Sequence, residues 1–117
     1  MEIQESIKND VAVLSLTGKM MGGEDTQQVH EHVKKLIIRD IRHAVVDLGQ
    51  LQWLNSSGMG ILIASLTSLR KQNGNLVLAN VSGKVKDLLE MTHLHLVFEK
   101  YESVEEAIES FSDLKRA

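Results

Sequence analysis

Apolar residues recur in this chain with two alternating periods, and the alternation predicts the elements. Residues 3–7 and 11–17 read as two strands joined by the short turn Lys8-Asn9-Asp10, which makes a hairpin. Gly22 and Gly23 interrupt the pattern before Glu24 and Asp25, whose acids suit the positive end of a helix. Val29, Val33, Leu36 and Ile37 then fall on one face and Glu31, Lys34 and Lys35 on another, predicting a helix over 24–39. The run Ala44-Val45-Val46-Asp47-Leu48 does not alternate, as expected of a central strand in a largely parallel sheet covered on both faces.

Helical spacing returns at Met59, Leu62, Ile63, Leu66 and Leu69, and Asn73-Gly74 closes that helix, with Gly74 expected to supply the left-handed cap. Leu76-Val77-Leu78-Ala79 is the next buried strand. Ser82 is expected to cap a helix with an apolar face of Val85, Leu88 and Leu89, to which Met91 can be added. Leu96-Val97-Phe98 reads as a short strand, and Ser103-Val104-Glu105-Glu106 as a capping box opening a last helix that buries Ala107, Ile108 and Phe111, with Leu114 a further member. The tail Lys115-Arg116-Ala117 is expected to fray. The order β-β-α-β-α-β-α-β-α predicts a small α/β sandwich over residues 1–117, with a mixed, largely parallel sheet, four helices and right-handed crossovers.

The stretch Trp53-Leu54-Asn55-Ser56-Ser57-Gly58-Met59-Gly60 is where a buried strand gives way to a helix. Asn55, Ser56 and Ser57 are all good helix starters, since a short polar side chain can accept from the unpaired N–H groups of a first turn. Gly58 and Gly60 each cost about 1 kcal/mol of helix propensity relative to Ala, and without a Cβ they would let another surface approach closely. Ordinary capping and close helix-on-sheet packing would explain the same residues. The enzyme alternatives lack their patterns: a nucleophile elbow needs glycines two residues either side of its serine, and a phosphate-binding loop ends in Gly-Lys-Ser/Thr.

Composition narrows the function classes. The chain is long enough to bury a core without staples, carries no cysteine, and has a formal net charge of −3 with acids and bases interspersed. With 3% aromatic residues it offers neither a basic footprint nor stacking material for nucleic acid. The first residues lack the basic and apolar regions of a signal peptide, and no apolar run approaches a membrane span, so a cytoplasmic protein without membrane insertion is expected. His30 and His32, two apart on a helix, point to different faces, while His93 and His95 would share a face only in an extended segment and have no evident third ligand. Neither metal nor cofactor is expected. Met20 and Met21 with Gly22-Gly23 form an apolar, flexible patch that serves either as core and hinge or as an adaptable partner surface. Trp53, the only tryptophan, is read as packing beside the turn.

Asn55-Ser56-Ser57-Gly58-Met59-Gly60 resembles the Asp-Ser-Ser/Thr-Gly-Leu-Gly signature of the bacterial anti-anti-sigma factors, single-domain members of the STAS family (sulfate transporter and anti-sigma factor antagonist). The similarity extends to Leu14-Ser15-Leu16-Thr17-Gly18, to Ile41-Arg42-His43-Ala44-Val45-Val46-Asp47-Leu48 and to Gly74-Asn75-Leu76-Val77-Leu78-Ala79-Asn80-Val81. It implies a non-enzymatic regulatory switch that binds an anti-sigma factor with serine kinase activity, of the GHKL ATPase type, and so frees a sigma factor. It also implies that the serine after the signature's acid, here Ser56, is phosphorylated. Met20, Met21, Asn55, Ser56, Ser57, Gly58 and Met59 are the partner-binding residues it suggests.

Two positions depart from the family pattern. Asn55 stands where the signature has its acid, and Gly18-Lys19-Met20-Met21 stands where Gly-Glu-Leu-Asp is usual, so Met21 replaces an aspartate. Asn55 also suits the alternative of a constitutive scaffold subunit in a regulatory or transporter assembly, where a site free of kinase control could lose its acid.

Overall fold

The computed structural model describes the backbone of residues 1–116 and the side chains of residues 1–112. Five strands form one sheet in the order β1-β2-β3-β4-β5, from β1 (Glu2–Lys8), β2 (Val11–Met20), β3 (His43–Leu54), β4 (Asn75–Ala79) and β5 (Lys100–Tyr101). The helices are α1 (Gly23–Ile38), α2 (Ser56–Lys71), α3 (Gly83–Met91) and α4 (Val104–Arg116). Only β1 runs antiparallel to its neighbour, and the chain between β1 and β2 turns through Asn9 and Asp10, both at positive φ. Two such residues give the twist that matches a hairpin.

The non-alternating run in β3 has the expected cause. Ala44, Val46 and Leu48 join Ala12, Leu14, Leu16, Leu76 and Leu78 under α1, α2 and α3. Val45 faces the other way, with Val11, Val13, Val77 and Ala79, under Ala107, Ile108 and Phe111 of α4. Three helices thus cover one face and one helix the other.

Four local expectations are corrected. Leu96-Val97-Phe98 is not a strand: Leu94–Leu96 forms a single 3-10 turn, Phe98 is buried in the main core, and the edge strand follows at Lys100–Tyr101, where Leu78 and Ala79 pair with it. Ser82 holds the N-cap position of α3, but its side chain makes no capping hydrogen bond. Met91 lies off the apolar face and is 77% exposed, while Val85 and Leu89 are buried. The left-handed residue after α2 is Asn73 (φ 63), not Gly74. Asn73 N–H donates to the Arg70 carbonyl and Gly74 N–H to that of Leu69, the paired bonds of a Schellman end. Gly74 is needed for a different reason, since a Cβ there would collide with the carbonyl oxygen of Arg42.

Of the capping box at Ser103 the serine half is present, with Glu106 N–H donating to the Ser103 hydroxyl at 3.1 Å. Lys115 and Arg116 continue α4; the packing of Leu114 and the state of Ala117 fall outside the described residues. No helix among the described residues is long and apolar enough to cross a membrane.

Candidate functional site

The sheet narrows toward one end. β4 pairs with β3 only as far as Ala79 beside Asp47, but β2 and β3 continue together to Met20 beside Leu54. Two register shifts interrupt that continuation, between Ser15 and Thr17 and between Gly18 and Lys19. The two strands therefore carry the start of α2 on the order of 20 Å beyond the last β3–β4 pair. The apolar run over residues 44–48 is thus only the first part of β3, which continues to Leu54; Leu51 and Leu54, both buried, are the sequence signal of that continuation.

Asn55 is the cap among the three candidates. Its side-chain oxygen accepts from Gly58 N–H at 3.0 Å, its side-chain nitrogen donates to the Met21 carbonyl at 2.9 Å, and its backbone N–H donates to the Met20 carbonyl at 3.0 Å. One residue thereby fixes the start of α2 to the end of β2 and the loop after it. Ser56 and Ser57 occupy the first two helical positions, both exposed, where backbone N–H groups have no acceptor within the helix. Their surroundings differ. A Cβ at Gly22 would lie 3.4 Å from the Cβ of Ser57 and 3.6 Å from its Oγ, so Ser57 stands against the start of α1.

Gly22 is the N-cap of α1 at φ 93, a conformation that favours glycine. The Thr26 hydroxyl holds it at both ends, accepting from Gly22 N–H at 2.9 Å and donating to its carbonyl at 3.1 Å. Two helix N-termini thus meet at this end of the molecule. The first turn of α1 carries Glu24 and Asp25, whereas that of α2 carries no acid. An anion placed at the start of α2 would meet a positive helix end without an acid of its own helix beside it.

The seven residues suggested as partner-binding do not form one exposed surface. Asn55 is half-buried, Ser56 and Ser57 are exposed, and Met21 is 54% exposed on the adjoining loop. Met20 is 0% exposed and Met59 is buried in the same core. Gly58 faces inward as well, because a Cβ there would lie 2.8 Å from the Met20 Cβ and 2.9 Å from its carbonyl oxygen. The surface that approaches Gly58 closely is therefore the protein's own β2. Gly60 has nothing within 4 Å of the place a Cβ would take. Trp53, half-buried, pairs in register with Lys19 near the tip of the extension.

Two of the histidines bridge elements. His30 Nε2 is 2.9 Å from the Ser68 Oγ, joining α1 to α2, while His32 Nδ1 is 2.9 Å from Glu5 on β1. Burial and the neighbouring Lys34 charge lower the His30 pKa, against a smaller opposing influence of Glu31. His93 sits at positive φ before the 3-10 turn and His95 within it, so the segment is not extended. Among the described residues no group of three or more potential ligands could hold a metal.

A cleft of about 650 Å³ opens past the ends of β4 and β5, beside Asp47, Gly49 and Gln50 in the middle of β3. There the Asp47 Oδ1 accepts from Gly49 N–H and from the Asn80 side chain, each at 3.0 Å. These bonds tie the base of the extension to the β4–α3 loop.

The BtrV protein of Bordetella bronchiseptica, a candidate anti-sigma factor antagonist, is 23% identical over 104 residues, covering 89% of this chain and 90% of its own. A crystal structure of a candidate anti-sigma factor antagonist from Thermotoga maritima superposes with a TM-score of 0.83 at 20% identity, covering 92% of each chain. The anti-sigma factor antagonist SpoIIAA in its unphosphorylated form gives 0.72 at 16% identity, over 97% of this chain and 98% of its own. Its phosphorylated form, from Bacillus, gives 0.72 at 19%, over 94% and 99%. The STAS domain model matches residues 2–107, and the chain belongs to the STAS domain family.

Proposed function

We propose that this protein is an anti-sigma factor antagonist: a cytoplasmic binding protein, without catalytic activity of its own, that sequesters an anti-sigma factor and so frees a sigma factor. The partner is an anti-sigma factor with GHKL-type serine kinase activity, and phosphorylation of Ser56 ends the complex. The observation that carries this reading is the exposed Ser56 hydroxyl at the first position of α2, next to a cap anchored by three hydrogen bonds, on a helix whose first turn has no acid. The names of BtrV and of SpoIIAA, known in unphosphorylated and phosphorylated forms, support it.

The switch follows from local electrostatics. A phosphoryl group adds roughly 1.5 to 2 negative charges, which free N–H groups and the helix dipole tolerate within the domain. A partner surface fitted to a neutral hydroxyl does not tolerate them, through desolvation and like-charge repulsion. Ser57 is the less suitable acceptor, since its side chain stands against Gly22.

The test uses the cognate kinase, ATP and four variants. Ser56→Ala is expected to abolish modification and keep binding, Ser57→Ala to keep modification, and Ser56→Asp or Ser56→Glu to weaken binding while remaining folded. Mass spectrometry reads the modification and calorimetry the affinity. Full modification of Ser56→Ala, or undiminished binding by the acidic variants, would sink the mechanism.

A further inference from the structure

The sheet has a third edge besides its outer two. β1 forms one outer edge and carries Glu2, Glu5 and Lys8 among its seven residues, while β5 forms the other and is two residues long. Charge and shortness are common protections of an exposed edge against pairing with another chain. The third edge is internal: β4 pairs with β3 only to Ala79 beside Asp47, so residues 48–54 of β3 have no strand on that side. Their sequence, Leu48-Gly49-Gln50-Leu51-Gln52-Trp53-Leu54, contains neither a charge nor a proline.

Main-chain groups along this edge outnumber the partners β2 can give them. While β3 runs through seven residues from Leu48 to Leu54, β2 runs through five from Leu16 to Met20, because each register shift sets an extra β3 residue against it. Asp47 Oδ1 takes up the Gly49 N–H. Among the described residues, no hydrogen bond from any element other than β2 reaches the backbone of Gln50, Leu51, Gln52 or Trp53. Gln50 and Gln52 are exposed and Trp53 is half-buried. The cleft of about 650 Å³ adjoins this edge at Gly49 and Gln50, past the end of β4, where a further strand beside β3 would begin.

We propose that residues 50–53 of β3 accept an extended segment of a partner protein as an added strand, held by main-chain hydrogen bonds. A row of backbone donors and acceptors on a strand edge is matched by another strand, and neither a helix nor a bilayer presents such a row. The recess decides against a second copy of this chain. Val81 and Ser82 of the β4–α3 loop, Lys86 of α3, and Lys100 and Tyr101 of β5 stand across the cleft. A lone segment about 5 Å from β3 fits beside them, whereas the sheet of a second copy would bring its own helices against α3. The lining carries both signs, Lys86 and Lys100 with Asp47 and Glu102, and so selects backbone shape rather than net charge. The two register shifts keep the added ladder short. This surface requires neither the kinase nor modification of Ser56, so its failure and theirs are distinguishable.

The probe is a peptide selected from a random displayed library against the full chain, then synthesised with free amides and in two N-methylated forms, one for each set of alternate residues. Trp53, the only tryptophan, reports binding by fluorescence, and amide hydrogen exchange followed by NMR reports its place. The free peptide is expected to change the Trp53 emission and to slow exchange of amides within residues 50–53. Because alternate amides of a strand point to opposite sides, methylation of one set is expected to weaken binding about tenfold or more and methylation of the other to leave it unchanged. Gln50→Lys with Gln52→Lys, at exposed positions, is expected to weaken it as well, while Ser56→Ala leaves it unchanged. Equal affinity of both methylated forms and the parent, unaltered exchange at residues 50–53, or slowing of the same amides as the chain's own concentration rises would overturn the proposal.

Discussion

The Asn55 side-chain nitrogen donates to the carbonyl oxygen of Met21 while the oxygen of the same amide caps Gly58. A carboxylate can serve the second bond but not the first. It would set a charged oxygen against the Met21 carbonyl at the present 2.9 Å separation. The two departures from the family signature, Asn55 and Met21, thus meet in one hydrogen bond. Asn55→Asp is therefore expected to lower stability by about 1–2 kcal/mol despite the favourable place for an acid at a helix start. Urea denaturation of the two proteins measures it, and an unchanged midpoint would mean that the bond contributes nothing.

Two glycines of the same turn are expected to respond in opposite directions. Gly58→Ala forces a methyl against Met20 and is expected to cost about 1–3 kcal/mol even after its gain in helix propensity. Gly60→Ala meets open space and is expected to stabilise by about 0.5–1 kcal/mol. Thermal melts of the pair separate close packing from intrinsic propensity.

At the other end of α2 the contrast is between neighbours. Gly74→Ala drives a Cβ into the Arg42 carbonyl and is expected to displace the chain leading into β4, with a loss of about 3 kcal/mol or more. Asn73→Gly, at the left-handed position, is expected to change stability by less than about 1 kcal/mol. Equal tolerance at both sites would contradict the close approach of Arg42.

His30 gives the chain a pH dependence of definite sign. Its folded pKa lies below the ordinary histidine value of 6.5, so between the two values the unfolded chain binds more protons and stability rises with pH. The contribution is complete above about 6.5 and is lost as pH falls through the folded value. His30→Gln, which can still bond Ser68, is expected to flatten the fall in melting temperature between pH 7.5 and pH 5.5, values chosen to lie about one unit either side of the histidine reference. An identical slope in both proteins would assign the effect to other groups.

Periodicity sufficed for the covered part of the sheet, because Val45 and Val46 are buried on opposite faces and Val29, Val33 and Leu36 on one. It was least informative where polar and apolar positions answer to local geometry. Gln50 and Gln52 are polar because they lie where the sheet has lost its cover on one side, although both are strand residues. Leu96 and Val97 are apolar yet exposed, so composition alone suggested a strand there. At the site, the residue types predicted a cap and the structure selected Asn55; the inward aim of Met20 and Gly58 depends on the pairing of Met20 with Leu54, a contact between residues 34 apart in the chain that no local pattern encodes.

The prolongation of β2 and β3 past β4 divides the molecule energetically. Beyond Gln50, where the pairing of β1 with β2 has ended at Thr17, the outer end is secured by one ladder and by Leu51, Leu54 and Met20, with no strand from β4 or β5 to brace it. Such a segment can open as a subglobal unit while the layers around Val45 and Val77 stay closed. A protein that reshapes this end on docking works against the free energy of a local opening, smaller than that of unfolding the whole chain. Adaptability and persistence are thereby assigned to different parts of the same sheet.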